Sequence, residues 1–489
     1  MDESTISVQL MRRSESSSAS SRSIESWLEI VEPSFDPAAV APQSEDAHLA
    51  QTPPRGRSIK RKRSSMSPPP GSGVPRRALS PAKRPRLDSV AAADDDDEEA
   101  LGSSSRLSVL TGSSRRLSTA PSLTASAAAS TRRSTSPTKN VQDLLYFQKP
   151  VRYVEMRDNA LEQLPEDVRE LYTEMYKIGQ LESFIPAEVR PDVRAIVGET
   201  YFRGRWFKEP ATTLSPEQAF VAASARKLVA SGQRTAKPTT PEGFALCELD
   251  TLRDIEEAAR HSSSTSASEA AWNTRVHVPL LVHATTGFRA VHVEPATTAQ
   301  IARGAMPPTT RNDGRDVSQG KMIDIAVVLR PGADTPLAAA IHAALGAMPP
   351  AGIGPDSSFE SVNQTMYTPL RFCPTAVSVE TKTLSADVEA GRVQLGVWVA
   401  AWHRRMEAFR TPASAGVSIV TLPLLLITGH DWKLMFACDR GDAIDIVGGV
   451  DIGNTSGLVD LYRLVAVLRA VARWVQGPYA RWMEELFLG

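Results

Sequence analysis

One discontinuity governs what this 489-residue chain can fold into. Residues 1–140 are dominated by Ser, Pro, Ala, Arg and Asp, with Trp27, Phe35 and scattered aliphatics as their few apolar anchors. A stretch so poor in apolar surface cannot offset the entropy of ordering its backbone, which predicts a disordered tail. From about residue 145 apolar residues return with helical and strand-like periods, and six of the eight tryptophans lie between Trp272 and Trp482. The folded mass is therefore C-terminal, and roughly 230 to 300 residues suffice for a sizeable core. We divide the chain into a tail (1–140), a helical preface (145–260) and a core domain (261–488).

Whole-chain averages hide this division, since the formal net charge is only -1. Cysteine usage is more informative. Cys247, Cys373 and Cys438 are odd in number, far apart and without C-x-x-C spacing. That argues against a disulfide scaffold or a zinc module and fits a reducing compartment. The longest apolar run, Leu422 to Ile427, is far too short to span a bilayer, and the acidic, polar MDESTISVQL is no secretory signal. A soluble intracellular protein, with no membrane partner, is expected.

The tail carries eleven Lys or Arg residues between Arg55 and Arg86. They cluster as Lys60-Arg61-Lys62-Arg63, Arg76-Arg77 and Lys83-Arg84-Pro85-Arg86. Basic clusters in a proline-rich segment suit the acidic groove of a nuclear import receptor, which predicts a nuclear location. A non-specific nucleic-acid-binding tail is the compatible alternative. Ser67-Pro68, Ser80-Pro81, Ser136-Pro137, Ser118 and Ser134 resemble phosphoacceptors whose modification would subtract positive charge. The acidic run Asp94 to Glu99 reads as a solvated linker.

In the preface, Val168, Leu171, Met175 and Ile178 recur at helical steps, Pro186 and Pro191 interrupt, and Leu228 to Gly232 and Leu249 to Ala259 suggest further helices. The core domain opens with Ser266-Ala267-Ser268-Glu269, an N-cap serine before an early glutamate. Trp272, Val276 and Leu280 then form an apolar stripe, and Glu269, Asn273 and His277 a polar one. Strands are expected within 288–303, over Lys321 to Leu329, Phe372 to Thr383, Ile419 to Thr428, Trp432 to Cys438 and Ala443 to Val450. Helices are expected over Leu337 to Leu345, Val388 to Arg405, Gly457 to Trp474 and Tyr479 to Leu486. The alternation of helices and strands predicts an α/β sandwich around a central mixed sheet.

Charge inside two of these strands needs a reason. Asp324 interrupts an apolar run, and in AVSVETKTLS (376–385) Glu380 and Lys382 stand two apart, on one side of a strand whose valines face the other way. Glu269 lies on the polar stripe of the first helix. Burying one unpaired carboxylate costs several kcal/mol, about 2–7 even for a neutral polar group, so three of them imply a shared purpose. A divalent cation supplies one. Asp324 and Glu380 can offer oxygens to one Mg²⁺ (or Mn²⁺), with the Thr381 carbonyl completing the shell and Glu269 as a further candidate. Lys382 can orient an attacking water and help deprotonate it. The bland alternative is a same-face ion pair between Glu380 and Lys382.

Ile323-Asp324 followed by Glu380-Thr381-Lys382 resembles the split acid and E-x-K of PD-(D/E)XK nucleases. More specifically, SEAAWN (268–273), GKMIDIAVVLRP (320–331), VSVETKT (377–383), VQLGVWVAAWHRR (393–405), GHDWKL (429–434) and LYRLVAVLRAVARWV (461–475) resemble the PD-(D/E)XK nuclease-like domain of many fungal proteins. The likeness runs from about residue 145 to 488, behind the Ser/Pro/Arg-rich head typical of that group. It implies a restriction-endonuclease-like core, Mg²⁺ or Mn²⁺ as cofactor, and nucleic acid, DNA or RNA, as partner. It also implies Asp324 and Glu380 as metal-binding acids, Lys382 as the E-x-K lysine, Glu269 as the helix-one glutamate and Gln394 as the glutamine on the following helix. Ile323 stands where the usual proline would precede the first acid, and the gap from Asp324 to Glu380 requires an inserted helix and loop. Three functions stay open: a metal-dependent endonuclease, a nuclease-fold module that has lost turnover and serves as a nucleic-acid or protein interaction domain, and a nuclear regulatory protein whose phosphorylated tail matters more than its core.

Other candidates have structural readings. His430 is assigned to the hairpin turn rather than to acid catalysis, and His277 to a hydrogen-bonded structural role. Trp398 and Trp402 can stack on bases, but at helical spacing in an apolar helix they read as core. Arg404 and Arg405 end that helix, where its dipole favours cations over any phosphate contact.

Overall fold

The computed structural model describes residues 140–230, 238–310, 322–348, 359–411, 416 and 418–489. The basic clusters of the tail, its phosphoacceptor motifs and its acidic run all lie outside the described residues, as do Lys321 and the end of the expected Leu228 to Gly232 helix.

Seven strands build one mixed sheet: β1 Val151–Val154, β2 Val291–Pro295, β3 Ile325–Leu329, β4 Thr375–Lys382, β5 Leu422–Thr428, β6 Asp431–Asp439 and β7 Ile444–Asn454. Their spatial order is β1-β7-β6-β5-β4-β3-β2. Only β1 with β7 and β4 with β5 pair in parallel. β4 and β5 lie at the centre and are buried almost throughout. Strands covered on both faces read as near-continuous apolar runs, which is why LPLLLIT and most of TAVSVETK lack solvent-facing polar residues.

Besides a single helical turn at Ala160–Gln163, ten α-helices frame the sheet among the described residues: α1 Glu166–Gly179, α2 Arg190–Val197, α3 Pro216–Ala230, α4 Pro241–Ser264, α5 Glu269–Trp272, α6 Val278–Thr285, α7 Pro336–Gly346, α8 Val388–Glu407, α9 Leu458–Trp474 and α10 Ala480–Leu488. Their starts follow N-cap chemistry. The side chains of Thr240, Ser268, Thr335 and Asp387 each accept a backbone N–H from the first turn of α4, α5, α7 and α8. A π turn, Asn273–His277, joins α5 to α6 in one continuous rod.

The sheet separates two layers. Glu380, Leu426 and Lys433 are cross-strand neighbours on one face. α8 covers that face, with Gly391 beside Leu426 and Glu380. Phe436 points the other way and meets the edge of Tyr172 from α1 at 6.4 Å, while α9 packs along β7 and against α1.

Several expectations need correction. The segment read as a helical preface also supplies β1, which adds to the sheet edge through parallel pairing with β7. VRYV is short and β-prone, with Val151 fully buried, and has no local signal of its partner. Pro191 does not interrupt a helix; it stands in the first turn of α2, where its missing N–H costs nothing. Asp324 is not inside its strand. β3 begins one residue later, and Asp324 occupies a bend at its mouth. Trp398 and Trp402, by contrast, are completely enclosed in α8, in keeping with their reading as core. Arg405 is also buried, donating to the carbonyls of Ser361 and Phe359 and stacking on Phe359 and Phe409, so it reaches no phosphate. No helix among the described residues is long and apolar enough to cross a membrane.

Candidate functional site

The site lies where β3 begins, β4 ends and α5 starts. Ile325 pairs with Val379, which leaves Asp324 beside the end of β4. Its Oδ2 accepts from the Thr381 amide at 2.8 Å and from the Thr381 hydroxyl at 2.9 Å. A carboxylate holding two donors is fixed in orientation, and charge-assisted bonds are the strong ones. The Asp324 backbone is anchored as well: its N–H donates to the Val379 carbonyl at 3.1 Å, and its carbonyl accepts from Ala296 at 2.7 Å.

Glu380 is 1% exposed, the buried carboxylate that its place in an apolar strand implies. One carboxylate oxygen, Oε1, accepts from Lys382 Nζ. The other, Oε2, is buried and has no hydrogen-bond partner. Burial, and then the neighbouring Asp324 charge, push its carboxyl up to about 8. The same two causes raise Glu269, which stands at the start of α5. Gly391 makes room here: a Cβ at that position would come within 2.8 Å of Leu426 Cδ1 and 3.5 Å of Glu380 Cγ. α8 therefore approaches the glutamate closely, and a larger side chain at 391 would require Leu426 to shift.

Lys382 binds these groups together. Its Nζ donates to Glu380 Oε1 and to the Thr381 carbonyl at 2.8 Å, and lies 3.5 Å from Glu269 Oε2. Burial works to lower its pKa, but Glu380, Glu269 and Asp324 outweigh that and hold the ammonium above its usual range. The ammonium is thus held by the acids that surround it.

Gln394, one turn beyond Gly391, donates to the Met322 carbonyl at 3.3 Å. It braces the segment leading to Asp324. The structure thus brings Glu269, Asp324, Glu380, Thr381 and Lys382 together, with Gln394 behind them. His277 and His430 stand apart from this cluster. His430 Nδ1 meets Thr455 Oγ1 at 2.9 Å across the hairpin. His277 is 1% exposed, and its Nε2 meets the Gly429 carbonyl at 3.0 Å. A carbonyl only accepts, so Nε2 carries a proton; burial lowers the imidazole to about 4 and keeps it neutral. Gly429 in turn donates its N–H to the Lys382 carbonyl at 2.8 Å, so His277 ties the α5–α6 rod to the end of β4.

Sequence reasoning missed three contributors. The Thr381 hydroxyl was assigned nothing, though a β-branched hydroxyl between Glu380 and Lys382 was a legible hint. The His277–Gly429 link had no signal in the sequence. Nor did Asn363, which accepts from Thr375 N at 2.8 Å and donates to the Cys373 carbonyl at 2.9 Å, aiming the start of β4.

Among the described residues no three His, Cys, Asp or Glu side chains are grouped closely enough to hold a metal ion. The donors nonetheless fit a hard divalent cation. A buried carboxylate oxygen lacks a partner, and burial, with the Asp324 charge second, raises the carboxyls of Glu269 and Glu380, so a cation would relieve both causes. Asp324, Glu380 and the Thr381 carbonyl would hold it, with Glu269 at the rim.

A mixed sheet between helical layers, with acids and a lysine at the ends of adjacent central strands, defines a restriction-endonuclease-like protein. A family model described as the PD-(D/E)XK nuclease superfamily matches residues 221–480, and this chain belongs to that superfamily. No curated protein and no solved structure matches it.

Proposed function

We propose that this protein hydrolyses phosphodiester bonds of nucleic acid in the nucleus, with Mg²⁺ or Mn²⁺ as cofactor. The observation that carries the reading is that Asp324, at the mouth of β3, is held by Thr381 of β4, while Lys382 engages one oxygen of Glu380 and the other is buried without a partner. When bound, a divalent cation acidifies water and offsets charge developing on a phosphate. Asp324, oriented by Thr381, and Glu380 hold it. The Lys382 ammonium hydrogen-bonds a phosphate oxygen or the attacking water and stabilises negative charge there. Glu269, partly exposed, bounds the opening. Gln394 and His277 fix the backbone on either side. Nuclear residence rests on the basic clusters Lys60–Arg63 and Lys83–Arg86, read as import-receptor ligands.

The test is Mg²⁺- and Mn²⁺-dependent cleavage of DNA and RNA by the full chain beside Asp324→Ala, Glu380→Ala and Lys382→Ala. Each substitution is expected to lower cleavage by at least about 100-fold. Cleavage that survives all three would place the chemistry elsewhere. Nucleic-acid binding with no cleavage by the wild type would assign the fold to recognition, the second reading, which the engagement of Lys382 by the acids favours. Alanine substitution of both basic clusters is expected to move a fluorescent fusion out of the nucleus.

A further inference from the structure

We propose that Lys382 is the resident cation of this site, and that a divalent metal must displace its ammonium to bind. The inference rests on the metal-site reading above and adds a competition within it. Four groups are assigned to the metal: Asp324, Glu380, the Thr381 carbonyl and Glu269. Lys382 Nζ engages three of them, donating to Glu380 Oε1 and to the Thr381 carbonyl at 2.8 Å and standing 3.5 Å from Glu269 Oε2. The fourth, Asp324, is held separately by Thr381.

The lysine is not a passive surface charge. Its side chain is 10% exposed, and the Glu380 side chain 1%. Its backbone cannot move to release the ammonium. Lys382 is in register with Thr428 on β5, and its carbonyl accepts from Gly429 N–H. Release therefore happens by rotation of the four-carbon stem, which in lysine is flexible. One positive charge faces three carboxyl groups, and Glu380 Oε2 is left without a partner, so a doubly charged ion satisfies the cluster better than the ammonium does. Glu269, 36% exposed and 3.5 Å from the ammonium, is the more solvent-facing of its two carboxyl partners, so the stem swings out on that side. Metal binding thus frees the lysine for the substrate.

The test measures Mn²⁺ affinity by calorimetry on the full-length protein, independently of any cleavage. Lys382→Met is expected to bind Mn²⁺ about tenfold or more tightly than the wild type, the scale on which one adjacent unit charge changes a carboxylate's affinity for a cation. Lys382→Arg, which keeps the charge, is expected to gain nothing. Equal or weaker binding by Lys382→Met would overturn the competition while leaving the metal site standing. No Mn²⁺ binding by any folded form would overturn the metal-site reading itself, and the competition with it. A second measurement needs no variant. Reductive methylation of wild-type Lys382, followed by mass spectrometry against the exposed Lys433, is expected to rise several-fold when Mn²⁺ is added. Unchanged labelling at saturating Mn²⁺ would equally overturn the competition.

Discussion

Asp324 and Thr381 lie 57 residues apart, yet the carboxylate of one accepts both the amide and the hydroxyl of the other. The middle residue of Glu380-Thr381-Lys382 thus aims the first acid, while its neighbours form the ion pair. Thr381→Val keeps the shape and the amide but removes the hydroxyl. We expect a loss of about 1.5–3 kcal/mol, the range for a hydrogen bond to a charged group. Chemical denaturation of Thr381→Val and Thr381→Ser measures it, and serine should recover most of the loss.

Gly391 sets how near α8 comes to Glu380. Alanine there meets Leu426 Cδ1 at 2.8 Å, but gains about 1 kcal/mol of helix propensity over glycine. The two effects nearly cancel, because the obstructing atom is the movable end of a side chain. Gly391→Ala is expected within about 1 kcal/mol of wild type, whereas Gly391→Val should lose about 1–3 kcal/mol by overpacking. Denaturation midpoints distinguish the two, and Leu426→Ala added to Gly391→Val should restore part of the loss.

His277 joins two parts of the site through the Gly429 peptide. His277→Ala leaves a carbonyl unpartnered and opens space between Trp272 and Trp432, whose rings flank it. A loss of about 2–4 kcal/mol is expected. Glutamine places an amide donor near the same carbonyl, so His277→Gln should be the milder change, and equal losses would contradict the hydrogen-bonding role.

His403, in α8, is 1% exposed and neither ring nitrogen has a partner. Burial lowers it to about 3 from an ordinary 6.5. The unfolded chain then binds the proton more readily, so this contribution to stability is present above pH 6.5 and is lost as pH falls towards 3. By pH 4 the loss from this one group is about 3 kcal/mol. His277 acts in the same direction. His403→Leu should cost little at pH 7 and should flatten the decline of stability between pH 6.5 and 4, measured by urea denaturation at each pH.

Much of the fold was legible because its signals are local. Ser268 and Glu269 start α5 as expected, since a serine cap bonds only to the turn that follows it. β4, β5, β6 and α8 fall within a few residues of their expected bounds, because apolar period and length survive any tertiary context. The Gly429-His430 turn was also legible. Gly429 has φ 56°, and a side chain there would strike Leu384. The acids and the lysine stood out because charge within an apolar strand is costly wherever the strand lies.

What the sequence determined by itself is which charged residues stand in or beside apolar strands: Asp324, Glu380 and Lys382. Only the tertiary structure decided how those charges are accommodated. It joined Val151–Val154 to β7 across nearly the whole folded chain, gave Asp324 to Thr381, and turned Lys382 back onto Glu380 and the Thr381 carbonyl. A hydrogen bond or ion pair depends on distances of a few ångström between groups tens to hundreds of residues apart. No periodicity or propensity encodes that distance; it is fixed when the sheet closes.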